Sequence, residues 1–127
     1  MTQWTIEQRC SAVDLILARA PVLPVIAIRE LAHAVPLARA LVAGGLPVLE
    51  VTLRSPVALA AITAMVREVP GAIIGAGTVL DEDALDAVTR AGARFAISPG
   101  CTEALYLAAS RARSEERRVG KECRMPC

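Results

Sequence analysis

At 127 residues the chain is one domain at most, and a hydrophobic content of 54% supplies ample material for a core. Aromatic residues make up only 2%, so that core must be built from Ala, Val, Leu and Ile, as under parallel sheets covered by helices. The net charge of +1 divides unevenly: residues 1–110 hold eight Arg against ten acids, whereas residues 111–127 hold six basic and three acidic residues. The body therefore lacks the basic excess and the aromatic platforms of a nucleic-acid binder. No apolar run approaches the roughly 20 residues of a membrane span, so no membrane partner is expected. Met1-Thr2-Gln3-Trp4 opens onto polar and charged residues, which predicts no signal peptide and a soluble, cytoplasmic protein. The four cysteines, Cys10, Cys101, Cys123 and Cys127, form no metal-ligand pattern and read as reduced thiols.

In chain order, Thr5 to Ala20 has the pattern of an amphipathic helix stopped by Pro21, with Ile6, Val13, Leu15, Ile16 and Leu17 as its apolar side. Val22 to Ile28 is an apolar run that reads as a strand with a flawed start at Pro24. Leu31 to Ala43 has helical periodicity, takes Pro36 in its first turn and stops at Gly44-Gly45. Pro47 to Leu53 reads as a strand. Ser55-Pro56 is expected to cap a helix running to about Val69, closed by Pro70-Gly71. Ala72 to Gly75 is a short buried strand leading into Gly75-Ala76-Gly77-Thr78. Asp81 caps the next helix, with Glu82 and Asp83 at its positive end. Arg94 to Ser98 is a fourth strand, followed by Pro99-Gly100, and Thr102 caps a helix through Ala109.

Four strand–helix units with short connections imply parallel strands with right-handed crossovers. Two architectures fit, a doubly wound open sheet and part of an eight-stranded α/β barrel. Both place ligands at the carboxyl ends of the strands.

The most informative segment is Val48-Leu49-Glu50-Val51-Thr52-Leu53-Arg54. Strand alternation puts Glu50, Thr52 and Arg54 on one face and Leu49, Val51 and Leu53 on the other. A carboxylate within an apolar strand is costly to bury unpaired, and Arg54 stands roughly 13 Å along the strand. The stripe reads as a site, with an ordinary polar barrel interior as the plainer alternative. Gly75-Ala76-Gly77-Thr78 lacks the third glycine of a dinucleotide loop and follows the third strand, not the first. Its glycines would allow a tight turn and close backbone approach, and Thr78 could offer a hydroxyl to a small oxygen-rich ligand. His33 reads as a solvated helix residue. The acids from Asp81 to Asp86 read as helix capping, and Phe95 and Tyr106 as packing residues.

Leu49-Glu50-Val51-Thr52-Leu53-Arg54, Gly75-Ala76-Gly77-Thr78-Val79-Leu80 and Phe95-Ala96-Ile97-Ser98-Pro99-Gly100 follow one another in an order and spacing that resembles the 2-dehydro-3-deoxy-phosphogluconate aldolase and 4-hydroxy-2-oxoglutarate aldolase family. Pro24-Val25-Ile26, Ala34-Val35-Pro36 and Ala43-Gly44-Gly45 add to the resemblance, which covers roughly residues 5–110. It implies a (β/α)8 barrel of the TIM type with about four of the eight units present. The activity it implies is a class I aldolase, usually a trimer, serving the Entner–Doudoroff pathway. Such an enzyme cleaves 2-dehydro-3-deoxy-6-phosphogluconate to pyruvate and glyceraldehyde 3-phosphate through a lysine Schiff base, without metal or cofactor. By motif, Glu50 resembles the general acid/base and Arg54 the residue that holds the substrate carboxylate. Thr78 and Pro99 resemble residues lining the pyruvyl pocket.

The resemblance stops near Ser110. In the family the Schiff-base lysine lies on the sixth strand, and the phosphate site lies in later loops. Lys121 is the sole lysine here, in a segment from Arg111 to Cys127 without strand pattern. That segment resembles a read-through stretch and is read as a frameshift or assembly artefact, with a natural basic tail as the alternative. The expectation is an N-terminal half-barrel that lacks its nucleophile, is inactive alone, and associates or aggregates through its open edges. The rival expectation is a non-catalytic α/β module that binds a small carboxylate such as a 2-keto acid.

Overall fold

The computed structural model describes residues 5–111 and 120–122, the last three by their backbone alone. Strands β1 (Val25–Ile26), β2 (Val48–Thr52), β3 (Ile73–Gly77), β4 (Phe95–Ile97) and β5 (Gly120–Glu122) form one sheet in strictly sequential order, every pairing parallel. Helices α1 (Ile6–Leu17), α2 (Ala34–Ala43), α3 (Ala58–Glu68), α4 (Glu82–Arg90) and α5 (Glu103–Arg111) alternate with the strands.

The strand order decides between the two expected architectures. A doubly wound sheet reverses its order at a switch point and carries helices on both faces. Here the order never reverses. Leu49, Val51, Ile74, Ala76 and Ala96 point to the same side and pack in one core with α2, α3, α4 and α5. This is the wall of a barrel of the TIM type, with helices outside and an inner face left for other side chains. Alanines at Ala34, Ala38 and Ala61, all fully buried, let the helices approach the sheet closely in a core with almost no aromatic residues.

The inner face has two zones. Toward the amino ends of the strands, Val48, Ile73 and Phe95 pack in one cluster with Ile16 and Ala20 from α1 and its exit, so α1 closes that end; Ile97, at the carboxyl end of β4, is partly buried against the same cluster. Beyond this apolar floor stand Glu50 and Thr52. The sequence is explicit about α1: Thr5 accepts from the Gln8 N–H at 3.2 Å while the Gln8 side chain accepts from the Thr5 N–H at 2.9 Å, a reciprocal cap.

Several elements differ from the sequence reading. The buried side of α1 is Arg9, Val13 and Ile16, one helical stripe, while Ile6 and Leu15 are exposed. Arg9 is buried because its guanidinium donates to Ser110 Oγ at 2.8 Å and to the Tyr106 hydroxyl at 3.2 Å and lies over the Tyr106 ring. Tyr106 is therefore more than packing. β1 keeps only two paired residues, since Pro24 has no N–H for the ladder. Leu31–His33 is a 3-10 turn and α2 begins at Ala34. Ser55 does not cap α3, whose N-cap is Val57 without a side-chain bond. Asp81 and Thr102 do cap as expected, accepting from Ala84 N at 2.8 Å and Leu105 N at 3.2 Å. Part of the tail expected to lack strand structure pairs with β4 as β5, Phe95 opposite Gly120 and Ala96 opposite Lys121. Cys123 and Cys127 lie outside the described residues. Among those residues no helix is long and apolar enough to cross a membrane.

Leu49 is fully buried between sheet and helices. Leu49→Ala is expected to cost about 2–5 kcal/mol, the range for emptying a buried leucine site. Ile6→Ala, at an exposed position, is expected to stay within about 0.5 kcal/mol. Urea denaturation followed by circular dichroism separates the two.

Candidate active site

Glu50 lies on β2 in register with Gly75 of β3, and Thr52 in register with Gly77. Strand alternation directs all four positions to the inner face. Glu50 is 7% exposed, so the strand carries its carboxyl group inward and out of bulk solvent. The two glycines make room for it. A methyl on Gly77 would collide with the Glu50 carboxyl group, standing 2.8 Å from Cδ and 3.0 Å from Cγ. A methyl on Gly75 would collide with the Phe95 ring. The Gly-Ala-Gly motif thus lies within β3, and its glycines clear space for side chains of the neighbouring strands. The expected tight turn is corrected on this point: the strand continues to Gly77, and neither glycine has a positive φ.

The turn comes one residue later, at Thr78, the only non-glycine residue with a positive φ (61°) among those described. A β-branched residue is a poor choice for this left-handed conformation, which costs about 1–3 kcal/mol unless its surroundings enforce it. Backbone bonds on either side do so: Leu53 N donates to Gly77 O at 2.9 Å, and Val79 N donates to Ile97 O at 3.2 Å. Both anchor the carboxyl end of β3 to its two neighbours. Thr78 is half-buried there.

Arg54 follows β2 and is exposed, and Pro99 follows β4 in an exposed turn. Burial pushes the Glu50 pKa up, and the Arg54 guanidinium offsets part of that rise. The arginine set aside as too distant for a partner therefore acts on the carboxylate electrostatically. Thr52 belongs to the scaffold, since its buried hydroxyl donates to Ile26 O at 3.1 Å and ties β2 to the end of β1. Ser98 spends its hydroxyl on the Gly100 carbonyl within the turn. His33 is exposed, 3.9 Å from Glu30. No group of three or more His, Cys, Asp or Glu side chains suited to a metal occurs among the described residues.

Ser55 was missed as anything but a cap. Its Oγ is buried beside Arg54 and is the one such side-chain atom without a hydrogen-bond partner among those described. Gly77 and Phe95 were missed as site residues because their contribution is space, which a motif read in one dimension does not display.

The arrangement is a buried carboxyl group on the inner wall of an α/β barrel segment, with a guanidinium and a threonine of positive φ at the strand ends. In α/β barrels this carboxyl face is where ligands bind. The comparisons with known proteins narrow the class. A family model described as aldolase, KDPG and KHG aldolase, matches residues 13–115, and the chain belongs to this family. It is 58% identical over 100 residues to the KHG/KDPG aldolase of Escherichia coli K12, covering 79% of this chain and 47% of that protein. Among solved structures, the 2-keto-3-deoxy-6-phosphogluconate aldolase of Zymomonas mobilis ZM4 with 3-phosphoglycerate superposes with TM-score 0.77 at 49% identity, covering 86% of this chain and 50% of that one. The KDPG aldolase of Legionella pneumophila, with pyruvate captured as a covalent carbinolamine, superposes with TM-score 0.75 at 49% identity, covering 82% and 49%. The chain spans about half the length of the curated relatives it matches.

Two outcomes are expected. A carboxyl group whose pKa is raised by folding holds its proton more tightly in the folded state. Its favourable contribution is fullest below the unfolded value, about 4.3, and is lost as pH rises through the folded value. Glu50→Gln is thus expected to be more stable than the parent at pH 7, with the advantage fading toward pH 4 in paired denaturation curves. Thr78→Gly is expected to be neutral or to stabilise by up to about 1 kcal/mol, because relief of strain offsets the entropy of glycine. A thermal melt that falls by several degrees would mean that Thr78 is not strained.

Proposed function

We propose that these residues form the acid/base and carboxylate-binding half of a Schiff-base aldolase site. The substrate would be 2-dehydro-3-deoxy-6-phosphogluconate, cleaved to pyruvate and glyceraldehyde 3-phosphate, with 4-hydroxy-2-oxoglutarate as a second substrate. The observation that carries this reading is the buried Glu50 carboxyl group on the inner face, whose pKa is raised by burial, the direction that favours a group able to give as well as take a proton. The pyruvate carbinolamine of the Legionella relative supports the covalent step.

In that reaction an amine adds to the substrate ketone, and the carbinolamine loses water to give an iminium ion. Cleavage of the bond between C3 and C4 sends its electron pair into the iminium as the C4 hydroxyl loses its proton. The resulting enamine is protonated at C3, and water then releases pyruvate and regenerates the amine. Glu50 carries protons at the carbinolamine and enamine steps. Arg54 holds the carboxylate with a planar fork of donors, and Thr78 and Pro99 border the pyruvyl group.

The nucleophile comes from outside the described wall. Lys121, the sole lysine in the sequence, pairs in register with Ala96, a position on the helix-facing side of β4 and out of phase with Glu50. The 127-residue chain therefore binds a 2-keto acid without covalent turnover, and the family match ending at residue 115 supports reading the following residues as outside the family's sequence, although β5 among them pairs with β4. The exposed Leu15, Val22 and Val25, the last on the edge strand β1, support association with another barrel segment, in the cytoplasm. A module that only binds carboxylates is the competing reading, favoured by the register of Lys121.

A chimaera tests the proposal: residues 5–110 of this chain joined to the remaining half of the E. coli relative. Aldol cleavage is expected, with Glu50→Gln lowering kcat about 10²–10⁴-fold and Arg54→Ala raising KM about 10–100-fold. A folded chimaera that binds pyruvate but cleaves nothing would favour the binding module. For the 127-residue chain, pyruvate with borohydride is expected to leave the mass unchanged, and an adduct on Lys121 with cleavage would contradict the assignment.

A further inference from the structure

Glu50 stands directly across from Gly75, yet its carboxyl group lies over Gly77, the next inward position along β3. The displacement, roughly 7 Å along the strand, is toward the carboxyl end, where Thr78 and Arg54 stand. The space above Gly75, which the same glycine chemistry leaves open, is filled by the edge of the Phe95 ring arriving from β4. Phe95 is 3% exposed and is packed from below by Ile16 and Val48. The ring is held from beneath and supplies the three atoms nearest to the Gly75 position.

We propose that Phe95 and Gly77 are paired positioning residues for Glu50, the ring closing the nearer place on β3 and the glycine opening the farther one, so that the carboxyl group reaches the strand ends where substrate would bind. For its catalytic consequence this rests on the aldolase reading; for its geometry it does not. Among described residues the other inward positions on the strands beside Glu50 are Val25 on β1 and Ile73 on β3, with Ile97 beyond on β4, all uncharged; the next charged residue at an inward position, Glu122, is on β5 in register with Ile97, and the charged group acting on Glu50 is Arg54. Burial on this face raises the pKa of the carboxyl group, against the lowering by Arg54.

The test uses the 127-residue chain with labelled glutamate and glycine, read by nuclear Overhauser contacts and by carboxyl titration. In the parent, the Glu50 γ protons are expected to contact the Gly77 α protons and the Phe95 ring to contact Gly75. Phe95→Ala is expected to open the nearer place, creating a Glu50–Gly75 contact, weakening the Glu50–Gly77 contact and lowering the titration midpoint. Phe95→Leu keeps an apolar group over Gly75 and is expected to retain the parent contacts. Gly77→Ala is expected to expel the carboxyl group and return its midpoint toward that of an exposed glutamate. A Glu50–Gly77 contact and midpoint unchanged in Phe95→Ala would overturn the proposal, as would an unchanged midpoint in folded Gly77→Ala. An inactive chimaera would remove the catalytic reading and leave these contacts in place, so the two failures are distinguishable.

Discussion

A carboxyl group on the inner face of a closely paired parallel sheet needs room, and neighbouring strands less than 5 Å apart ordinarily fill that room with side chains. β3 solves the problem by omission, with glycine at both inward positions opposite Glu50 and Thr52. One gap receives the Phe95 ring and the other the carboxyl group. Burial on this face and the nearby Arg54 then act in opposite directions on how readily the group ionises. Replacing either glycine with a larger residue would change which side chain occupies the face, and with it the chemistry available there.

The remaining site features follow from strand ends. β3 is bonded to β2 and β4 up to its last residue, so the chain must turn abruptly at Thr78, and the two flanking backbone bonds hold that residue in a conformation it would not choose. Arg54 and Pro99 leave their strands at the same end. A packed wall with its functional residues at the carboxyl rim is the general arrangement of α/β barrels. The small helix residues that let α2 and α3 seat closely against Leu49 and Val51 are what keep the wall rigid without aromatic packing.

Much of this was legible in the residues. The alternation in Val48 to Leu53 placed Glu50 on the face opposite Leu49 and Val51, and the structure buries all three as that pattern requires. Asp81 and Thr102 declared their caps because side-chain capping is a local matter. What escaped the sequence depends on neighbours distant along the chain. The glycines of β3 look like a turn until Glu50 and Phe95 are brought alongside. Arg9 looks like a solvent residue until Tyr106 and Ser110, about a hundred positions later, supply its partners. Ser55 looks like a cap, but α3 starts three residues beyond it, with Val57 as N-cap, and leaves its hydroxyl unbonded. β5 is held by its pairing to β4, and no pattern of its own announces it.

The central claim is that the Glu50 carboxyl group is buried on the inner face and directed toward the strand ends, where the proposed function puts a 2-keto acid. Carbon-13 titration of the glutamate carboxyls, with and without saturating pyruvate, addresses both halves at once. The account expects Glu50 to lose its proton at higher pH in the folded chain than in the urea-unfolded chain, and its resonance to move on adding pyruvate. A Glu50 that titrates alike in both states and ignores pyruvate would contradict it.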